Sequence, residues 1–387
     1  MFRLIVSVSG ARLVASLMQA ITLLLLTRIL GPEKFGLFAA LVAAVGVLVV
    51  LFGVGLNSLS LRLSALPDEQ ALRTTIALIR APVALLAALT ASAVALLLTG
   101  QGGLAIIVVA GFYAASESLG EGVEALLYGA TRERRAQLTM LVRRAALLAG
   151  LVVGVIVGNG LAGFSIAIVC VMSLLWLALR GLLGKPAPLS RVFKLAMPLW
   201  MPTLLAKMQT LDVVVAASAL SPSSAGIYSA AARITSPLNT FAMAALSVLT
   251  PRLASGSGMS AKEALFTKSR AGMRLAALAL VVCSPGVGWI TEIVLGEAYE
   301  GVWIIAAILT CMTAFAAVTQ IYVSYFYAEG DGMTVAKIRL VVVPLSLSIG
   351  WLMANSYGAV ALAAVIAASQ LALWCALALA YRISPMR

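Results

Sequence analysis

The feature that most constrains this chain is an internal repeat. Residues 30–40 read LGPEKFGLFAA and residues 220–230 read LSPSSAGIYSA, and the alignment continues without a gap to Arg62-Leu63 against Arg252-Leu253. The two copies are 190 residues apart throughout. In a very apolar chain, a repeat of half the length predicts two similar bundles of membrane helices, which usually meet around a substrate path. The repeat therefore favours a transporter.

Composition indicates that lipid covers most of this chain. Of the 387 residues, 62% are hydrophobic and 11% are charged, and the mean hydropathy is +1.08, so no soluble core could hold the apolar surface. A stretch of roughly 20 apolar residues crosses the hydrocarbon layer as a helix, because backbone groups in lipid must be satisfied internally. Twelve such spans are predicted, at 4–27, 35–59, 76–98, 104–129, 137–158, 160–180, 193–219, 224–250, 268–290, 302–327, 334–354 and 358–381.

These spans predict an all-α integral membrane protein with twelve transmembrane helices in two parallel-repeat lobes of six. Because six is an even number, the lobes have the same orientation and are related by an axis along the membrane normal, with a central cavity between them. The Gly- and Pro-rich stretch at 181–188 separates them. We therefore predict an N-terminal lobe at 1–184, a cytoplasmic linker at 185–190 and a C-terminal lobe at 191–387.

The distribution of basic residues predicts the orientation. With a cytoplasmic N-terminus, nineteen of the 27 Lys and Arg residues fall on the cytoplasmic side and six fall within the spans. The outer side holds Arg28 and Lys34. This asymmetry predicts that both termini are cytoplasmic. It also explains the net charge of +13 by topology instead of nucleic-acid binding.

The residue types that are missing argue against several kinds of chemistry. The chain has no histidine, which removes His-based acyl transfer, a His proton relay and His metal ligation. Gly184-Lys185 lacks the upstream glycine of a phosphate-binding P-loop. The three aspartates are too far apart for a paired magnesium site, and they are Asp68, Asp212 and Asp331. We therefore predict no cofactor, no metal site and no enzymatic activity.

Charges inside the spans are the first candidate functional residues, because an ionised side chain at the centre of a membrane helix costs about 2.5–3.5 kcal/mol. The fourth span places Glu117, Glu121 and Glu124 on one stripe. The fifth span places Arg143 and Arg144 at a similar depth. We expect a Glu/Arg network between these helices. It is either a structural lock of the first lobe or a cytoplasmic gate with a carboxylate that takes up a proton.

The seventh and eighth spans carry a second set of charges. Asp212 and Arg233 match in depth and are expected to pair, which leaves Lys207 as the more accessible cation. The equivalent positions of the first half are uncharged, so the shared scaffold does not require these charges. They are either an ion pair that holds two helices together, with Asp212 in a gating or coupling role, or groups that handle a ligand.

The remaining cations predict an electropositive cavity. Arg12 lies in a first span that contains no acidic residue, and Arg28 sits at the far end of that span. Together with Lys207 and Arg274, they would make the central cavity suited to phosphate groups, which arginine binds through its planar fork.

Several segments resemble the polysaccharide, or O-antigen-type, flippases of the MOP superfamily. The run RILGPEKFGLF at 28–38 is similar to the opening of that family. Pro198, followed by DVVV at 212–215 and AGIYSAAAR at 225–233, resembles the start of its second lobe. The segments LGEAY at 295–299 and YAEG at 327–330 are similar to its later parts.

The resemblance implies a MOP/MATE-like protein that moves undecaprenyl-diphosphate-linked oligosaccharide units from the cytoplasmic to the outer leaflet of a bacterial inner membrane. Such units serve O-antigen or exopolysaccharide biosynthesis, with a polysaccharide polymerase and chain-length proteins as candidate partners and no nucleic acid. The lobes would rock around the cavity. The resemblance also implies diphosphate or acidic-sugar contacts for Arg12, Arg28, Lys207, Arg233 and Arg274.

Two other functions stay open. A MATE-type, ion-coupled multidrug exporter of the same superfamily would use carboxylates in the first lobe, which Glu117 and Glu121 allow, although the acid-free first span argues against it. A membrane enzyme of glycan assembly, a polymerase or acyltransferase, is disfavoured by the short predicted outer loops and the absence of histidine.

Overall fold

The computed structural model describes residues 2–60, 69–99, 103–130, 132–180, 183–255, 259–329 and 331–383. In this part of the chain every regular element is helical. The helices are α1 (Phe2–Gly53), α2 (Leu56–Ser60), α3 (Glu69–Thr99), α4 (Leu104–Gly129), α5 (Glu133–Ile156), α6 (Gly160–Arg180), α7 (Leu189–Met208), α8 (Asp212–Ala219), α9 (Pro222–Ser255), α10 (Met259–Leu295), α11 (Val302–Ala328) and α12 (Gly332–Ile383). Short 3-10 turns, Gln209–Leu211 and Glu297–Tyr299, precede α8 and α11.

Most of these helices are long enough to cross a membrane. Within the described residues, eight are long and apolar enough to cross a bilayer. α1 and α12 have 52 residues each, and each contains one glycine with non-helical dihedral angles, Gly31 and Gly358, where two helices meet at a kink. Both kinks lie at predicted boundaries between spans. The multi-pass, all-helical architecture is confirmed, whereas the number of twelve spans and the arrangement in two lobes stay predictions.

The two kinks depend on a backbone conformation that side chains disfavour. Gly31 has φ 72° and ψ 170°, and Gly358 has φ 79° and ψ −166°. This region of positive φ and extended ψ is essentially restricted to glycine. The equivalent turn in the second copy of the repeat has a different structure. Ser221 replaces Gly31, and its hydroxyl accepts a hydrogen bond from the Ser224 N–H. Serines at the N-terminus of a helix commonly accept such a bond.

The described helices pack into two compact units. The first comprises Met1–Leu30 and Leu37–Val214, and the second comprises Gly31–Gly36 and Val215–Arg387. Ala187, which belongs to the predicted linker at 185–190, is bound to the first unit. Its N–H donates to the Ala71 carbonyl, and its carbonyl accepts a hydrogen bond from the Thr75 hydroxyl. The predicted lobe boundaries stay a prediction. Gly181 and Leu182, which precede the linker, lie outside the described residues.

Loops of the first unit meet as the predicted alternation of spans requires. Gly184 donates its N–H to the Thr74 hydroxyl, which joins two segments predicted on the cytoplasmic side. On the opposite side, Gly160 lies against the Ile29 side chain. These contacts agree with helices that run alternately up and down between two sides.

Close packing of α5 on α6 depends on small residues. A Cβ atom on Gly163 would overlap the carbonyl oxygen of Gly150 and the backbone of Gly154. The sequence spacing predicts a packing stripe of Gly150, Gly154 and Gly158, and the first two behave so. Gly158 instead lies in the turn after α5, with φ 87° and no atom within 4 Å of a Cβ position, because the helix ends before it.

Two equivalent glycines of the repeat meet within the second unit. Gly36 and Gly226 are both buried, and a Cβ atom on Gly36 would lie 2.9 Å from the backbone nitrogen of Gly226. A Cβ atom on Gly226 would overlap the carbonyl oxygen of Pro32. Residues 31–36 therefore pack directly on the start of α9. The end of the first copy, Arg62-Leu63, lies outside the described residues.

An aromatic core closes one end of the second unit. Phe266 of α10 lies 4.7 Å from the Tyr381 ring and 5.1 Å from the Tyr325 ring, measured between ring centroids. Phe326 at the end of α11 and Val335 near the start of α12 belong to the same buried cluster. The helix ends that meet here are all predicted on the cytoplasmic side, so the cluster agrees with the predicted alternation in this unit too.

Candidate functional site

The first unit contains a buried network of carboxylates and guanidinium groups between α4 and α5. Arg143 bridges two glutamates, with Nη1 2.9 Å from Glu117 Oε1 and Nη2 2.8 Å from Glu124 Oε1. Arg144 contacts the other oxygen of Glu117 through Nη1. Arg143 is 2% exposed and Glu117 is 8% exposed, so these charges interact where water screens them little. The structure thus brings together four of the five residues predicted to form this network.

Glycines of α4 make room for the arginines. A Cβ atom on Gly120 would overlap the Arg143 guanidinium, and a Cβ atom on Gly122 would overlap the guanidinium of Arg80 from α3. Since these glycines flank Glu121, the stretch 117–124 presents acidic side chains while it lets two arginines from neighbouring helices approach the backbone. A side chain at either glycine would displace the arginine side chain beside it.

Glu121 differs from the two glutamates beside it. Its side chain is exposed, and it forms no ion pair with a described residue. It lies close enough to Arg80 and Arg143 to interact electrostatically with both. Glu121 is therefore the accessible carboxylate of the stripe, whereas Glu117 and Glu124 are held by arginine.

Arg80 is a buried charge that the sequence did not single out, because its position near a predicted loop placed it among the cytoplasmic cations. It is 6% exposed, and its Nη2 donates to the Ser60 hydroxyl at 2.8 Å and to the Leu56 carbonyl at 3.2 Å. It also lines a small pocket together with Ser118 and Thr203. Arg80 lies about three helical turns after Glu69, the first residue of α3. A helix predicted to start at Glu69 would have placed Arg80 inside the span.

Arg12 joins the same region of the first unit. Its Cζ lies 5.6 Å from the centre of the Tyr128 ring, a cation–π distance, and Tyr128 follows Glu124 by one helical turn. The Arg12 side chain is half-buried. Through Tyr128, Arg12 of α1 therefore lies beside the network of α4 and α5.

Lys207 and Asp212 flank the 3-10 turn between α7 and α8. Lys207 lies in the last turn of α7 and its Cε packs against Gly46 of α1. Asp212 is buried at the start of α8. The expected pair of Asp212 with Arg233 joins residues of the two units and stays a prediction.

The other predicted binding residues lie elsewhere. Arg28 is exposed at the end of the first helical segment of α1, and Arg233 is half-buried in α9. Arg274 of α10 is exposed, with its Cζ 5.9 Å from the centre of the Trp374 ring. The cavity that these cations were predicted to share with Arg12 and Lys207 stays a prediction. Among the described residues, no group of three acidic, Cys or His residues could hold a metal ion.

These features define a class of protein: a multi-pass helical membrane protein whose fold is similar to that of solved MOP superfamily transporters. The fold is similar to that of the lipid II flippase MurJ in an inward closed conformation, with a TM-score of 0.73 and 13% identity over 98% of this chain and 88% of MurJ. It is also similar to a MOP superfamily transporter from Pyrococcus furiosus, with a TM-score of 0.66 and 15% identity over 98% of this chain and 94% of that one. It is also similar to an inward-facing MATE multidrug transporter, with a TM-score of 0.64 and 15% identity over 96% of this chain and 92% of that one.

The chain belongs to the polysaccharide biosynthesis protein family, whose model matches residues 3–257. The match includes the first copy of the repeat, the α4/α5 network and the start of the second copy. No curated protein sequence matches the chain significantly. The family and the structural neighbours confirm the resemblance that the sequence shows.

Proposed function

We propose that this protein is a flippase that moves undecaprenyl-diphosphate-linked oligosaccharide units from the cytoplasmic to the outer leaflet of a bacterial inner membrane. The observation that carries the proposal is the match of residues 3–257 to the polysaccharide biosynthesis family. The similarity of fold to a lipid II flippase supports it. The units would supply O-antigen or exopolysaccharide synthesis, in which a polymerase and chain-length proteins act next.

The substrate's diphosphate requires cations that can reach it. Arg12 and Lys207 of the first unit are half-buried, and Arg12 is held by an aromatic ring instead of a carboxylate. A guanidinium held in this way can direct its remaining N–H groups to a phosphate. We assign Arg12, Arg28, Lys207, Arg233 and Arg274 as substrate contacts. Transport by alternating access needs no covalent step, so the protein would not be an enzyme.

The α4/α5 network is proposed to act as the gate or coupling element, with Asp212 in the same role. Glu117, Glu124, Arg143 and Arg144 would hold the first unit rigid, since buried ion pairs are costly to separate. Glu121 would be the group that exchanges ion-pair partners, because it is exposed near two arginines. A Glu121→Gln variant should keep its thermal stability and lose transport, whereas a purely structural network predicts unchanged transport.

The decisive experiment reconstitutes the full chain into vesicles that contain a fluorescent undecaprenyl-diphosphate oligosaccharide. We expect the lipid to become accessible on the opposite leaflet only when the protein is present. Lys207→Ala should reduce the initial rate about tenfold, because a charge-assisted contact is lost. Lys194→Ala is the matched control, since Lys194 is an exposed cation of the same helix. Equal rates for both variants would remove Lys207 from the site, and no transport by the unmodified protein would contradict the proposed function.

The second candidate is an ion-coupled multidrug exporter. The similarity of fold to a MATE multidrug transporter favours it, and Glu121 is an exposed carboxylate of the kind that a cationic drug would need. Drug susceptibility in a pump-deficient strain separates the two functions. Expression should leave drug susceptibility unchanged if the protein is a lipid flippase, and resistance to cationic drugs abolished by Glu121→Gln would favour the exporter.

A further inference from the structure

The second predicted span contains a break near its predicted cytoplasmic end. The sequence predicts one helix over 35–59, but α1 ends at Gly53 and α2 begins at Leu56. Between them, Val54 has φ 43° and Gly55 has φ 79°. Glycine adopts positive φ readily, whereas a β-branched residue is strained there. The break therefore places Val54 in a strained backbone conformation.

Side chains from two neighbouring helices bind the backbone on either side of this break. The Trp200 Nε1–H of α7 donates to the Val50 carbonyl at 3.2 Å. On the other side, Arg80 Nη2 of α3 donates to the Leu56 carbonyl at 3.2 Å. All of these residues belong to the first unit. A break in a membrane helix persists where neighbouring helices bind the backbone groups that it frees, so contacts from α3 and α7 maintain the bent form.

Arg80 lies between α2 and the accessible carboxylate of α4. Its Nη2 also donates to the hydroxyl of Ser60, the last residue of α2, at 2.8 Å. A Cβ atom on Gly122 would overlap the Arg80 guanidinium, so this group lies against the α4 backbone next to Glu121. Glu121 is exposed and interacts with Arg80 electrostatically. Arg80 therefore has two alternative partners, the polar groups of α2 and the Glu121 carboxylate.

A small pocket lies beside the break. Gly53 and Leu56 line it from the two sides of the break, and other helices contribute Arg80, Ser118 and Thr203. Protein interiors are otherwise close-packed, so a helix can change its angle only where space is left. The pocket therefore gives α2 room to move relative to α1.

We propose that residues 53–55 form a hinge and that Arg80 holds α2 in its bent position. When the guanidinium moves its hydrogen bonds from α2 to Glu121, α2 is released, and relief of the strain at Val54 favours a new angle between α2 and α1. Arg80 is thus a positioning residue and does not contact substrate. The proposal rests on the proposed function, because it identifies α2 as the part that moves when Glu121 exchanges ion-pair partners.

Distances between two spin labels on the full-length protein in nanodiscs report the position of α2. The labels are attached to Ser58→Cys on α2 and to Arg180→Cys at the exposed end of α6, in a variant without the four native cysteines. We expect two distances, one for the bent and one for the released position. Arg80→Gln should raise the ratio of released to bent protein about tenfold, because hydrogen bonds from a charged group are lost. Arg134→Gln removes an exposed cation of α5 and, as the control, should leave the ratio unchanged.

Glu121→Gln distinguishes a switch from a simple support. It removes the second partner of Arg80 and should lower the same ratio about threefold at an unchanged melting temperature. If Arg80 only supported the fold, Glu121→Gln would have no effect on α2. Val54→Gly relieves the backbone strain of the bent form and should also lower the ratio, by about fivefold. Both variants keep Arg80, so they test the hinge even if Arg80→Gln fails to fold.

The hinge is overturned if α2 keeps one distance in all folded variants, or if Glu121→Gln and Arg80→Gln shift the ratio in the same direction. The transport assay gives an independent result. Unmodified protein that shows both positions of α2 but never translocates the fluorescent lipid contradicts the proposed function and leaves the hinge in place. Translocation at a single fixed α2 distance supports the proposed function and removes the hinge.

Discussion

Glu117 is the residue on which the buried network of the first unit depends, because its two oxygens contact two different arginines. Arg143 also reaches Glu124, so it retains one partner if Glu117 loses its charge, whereas Arg144 retains none among the ion pairs of the network. A buried guanidinium without a carboxylate is far more costly than a buried pair. The stability of this unit is therefore most sensitive to charge at position 117.

Glu117→Gln should destabilise the protein by about 3–5 kcal/mol, because it leaves buried arginine charge uncompensated at nearly constant volume. The measurement is thermal unfolding in detergent. Glu121→Gln is the matched control on the same helix: its side chain is exposed and outside the ion pairs, so its melting temperature should stay near that of the unmodified protein. Equal losses for the two variants would contradict a special role of Glu117.

Sequence periodicity predicted the α4/α5 network because helical spacing fixes which side chains share a face. It could not predict that Glu121 would be left out of the ion pairs, since that depends on the rotation of α4 against α3 and α5. Arg80 was missed because a charge near a span boundary is read as a loop residue. The aromatic support of Arg274 was missed for another reason: Trp374 is 100 residues away in the chain.

At the scale of helices, the contact of α5 with α6 is set by glycine. Gly163 meets the backbone of Gly150 and Gly154, and backbone atoms cannot move aside as a flexible side chain can. Membrane helices depend on such close approach because lipid provides no hydrophobic drive for their association. The pair is therefore more sensitive to added volume than to lost polarity.

Gly163→Ala should cost about 1–3 kcal/mol through overpacking against the α5 backbone. Gly272→Ala is the control, since a Cβ atom there meets nothing within 4 Å and alanine favours a helix over glycine. We expect the control to be neutral or slightly stabilising in the same thermal unfolding assay. A Gly163→Ala variant as stable as the control would show that α5 and α6 are further apart than described.

The kink within α12 belongs to the same scale. Gly358→Ala should cost about 1–3 kcal/mol, because alanine is strained at φ 79° and ψ −166°. No atom lies within 4 Å of the Cβ position, so the expected loss comes from backbone strain alone. Gly286→Ala, at an open helical position, is the comparison. Similar melting temperatures for both variants would indicate a continuous α12 helix.

For the whole molecule, the sequence predicted that the elements are helices and where most of them begin and end. It could do so because a long apolar segment in lipid must satisfy its backbone groups internally, as a helix does. It could not predict that residues 31–36 would join the second unit, since a repeat indicates likeness between two segments and not which one each will contact. The seventh span also differs from a simple helix, because a 3-10 turn divides it at Gln209–Leu211.

The predicted orientation has a direct test with single cysteines in a variant whose four native cysteines are replaced. Lys185→Cys and Glu297→Cys both introduce a thiol at an exposed position. A membrane-impermeant maleimide should label Glu297→Cys in intact cells and Lys185→Cys only after permeabilisation, because the basic loops are expected to face the cytoplasm. The opposite labelling pattern would invert the topology and place both termini outside.

The contact between Gly36 and Gly226 couples the allowed substitutions in the two copies of the repeat. The two positions are equivalent in the repeat. A Cβ atom on Gly36 would meet the backbone of Gly226, and one on Gly226 would meet the backbone of Pro32. One copy of a repeat is usually free to change, but here the packing of residues 31–36 on α9 limits the side-chain size at both positions. Among relatives, we expect these two sites to stay small together, or to enlarge only where residues 31–36 have moved away.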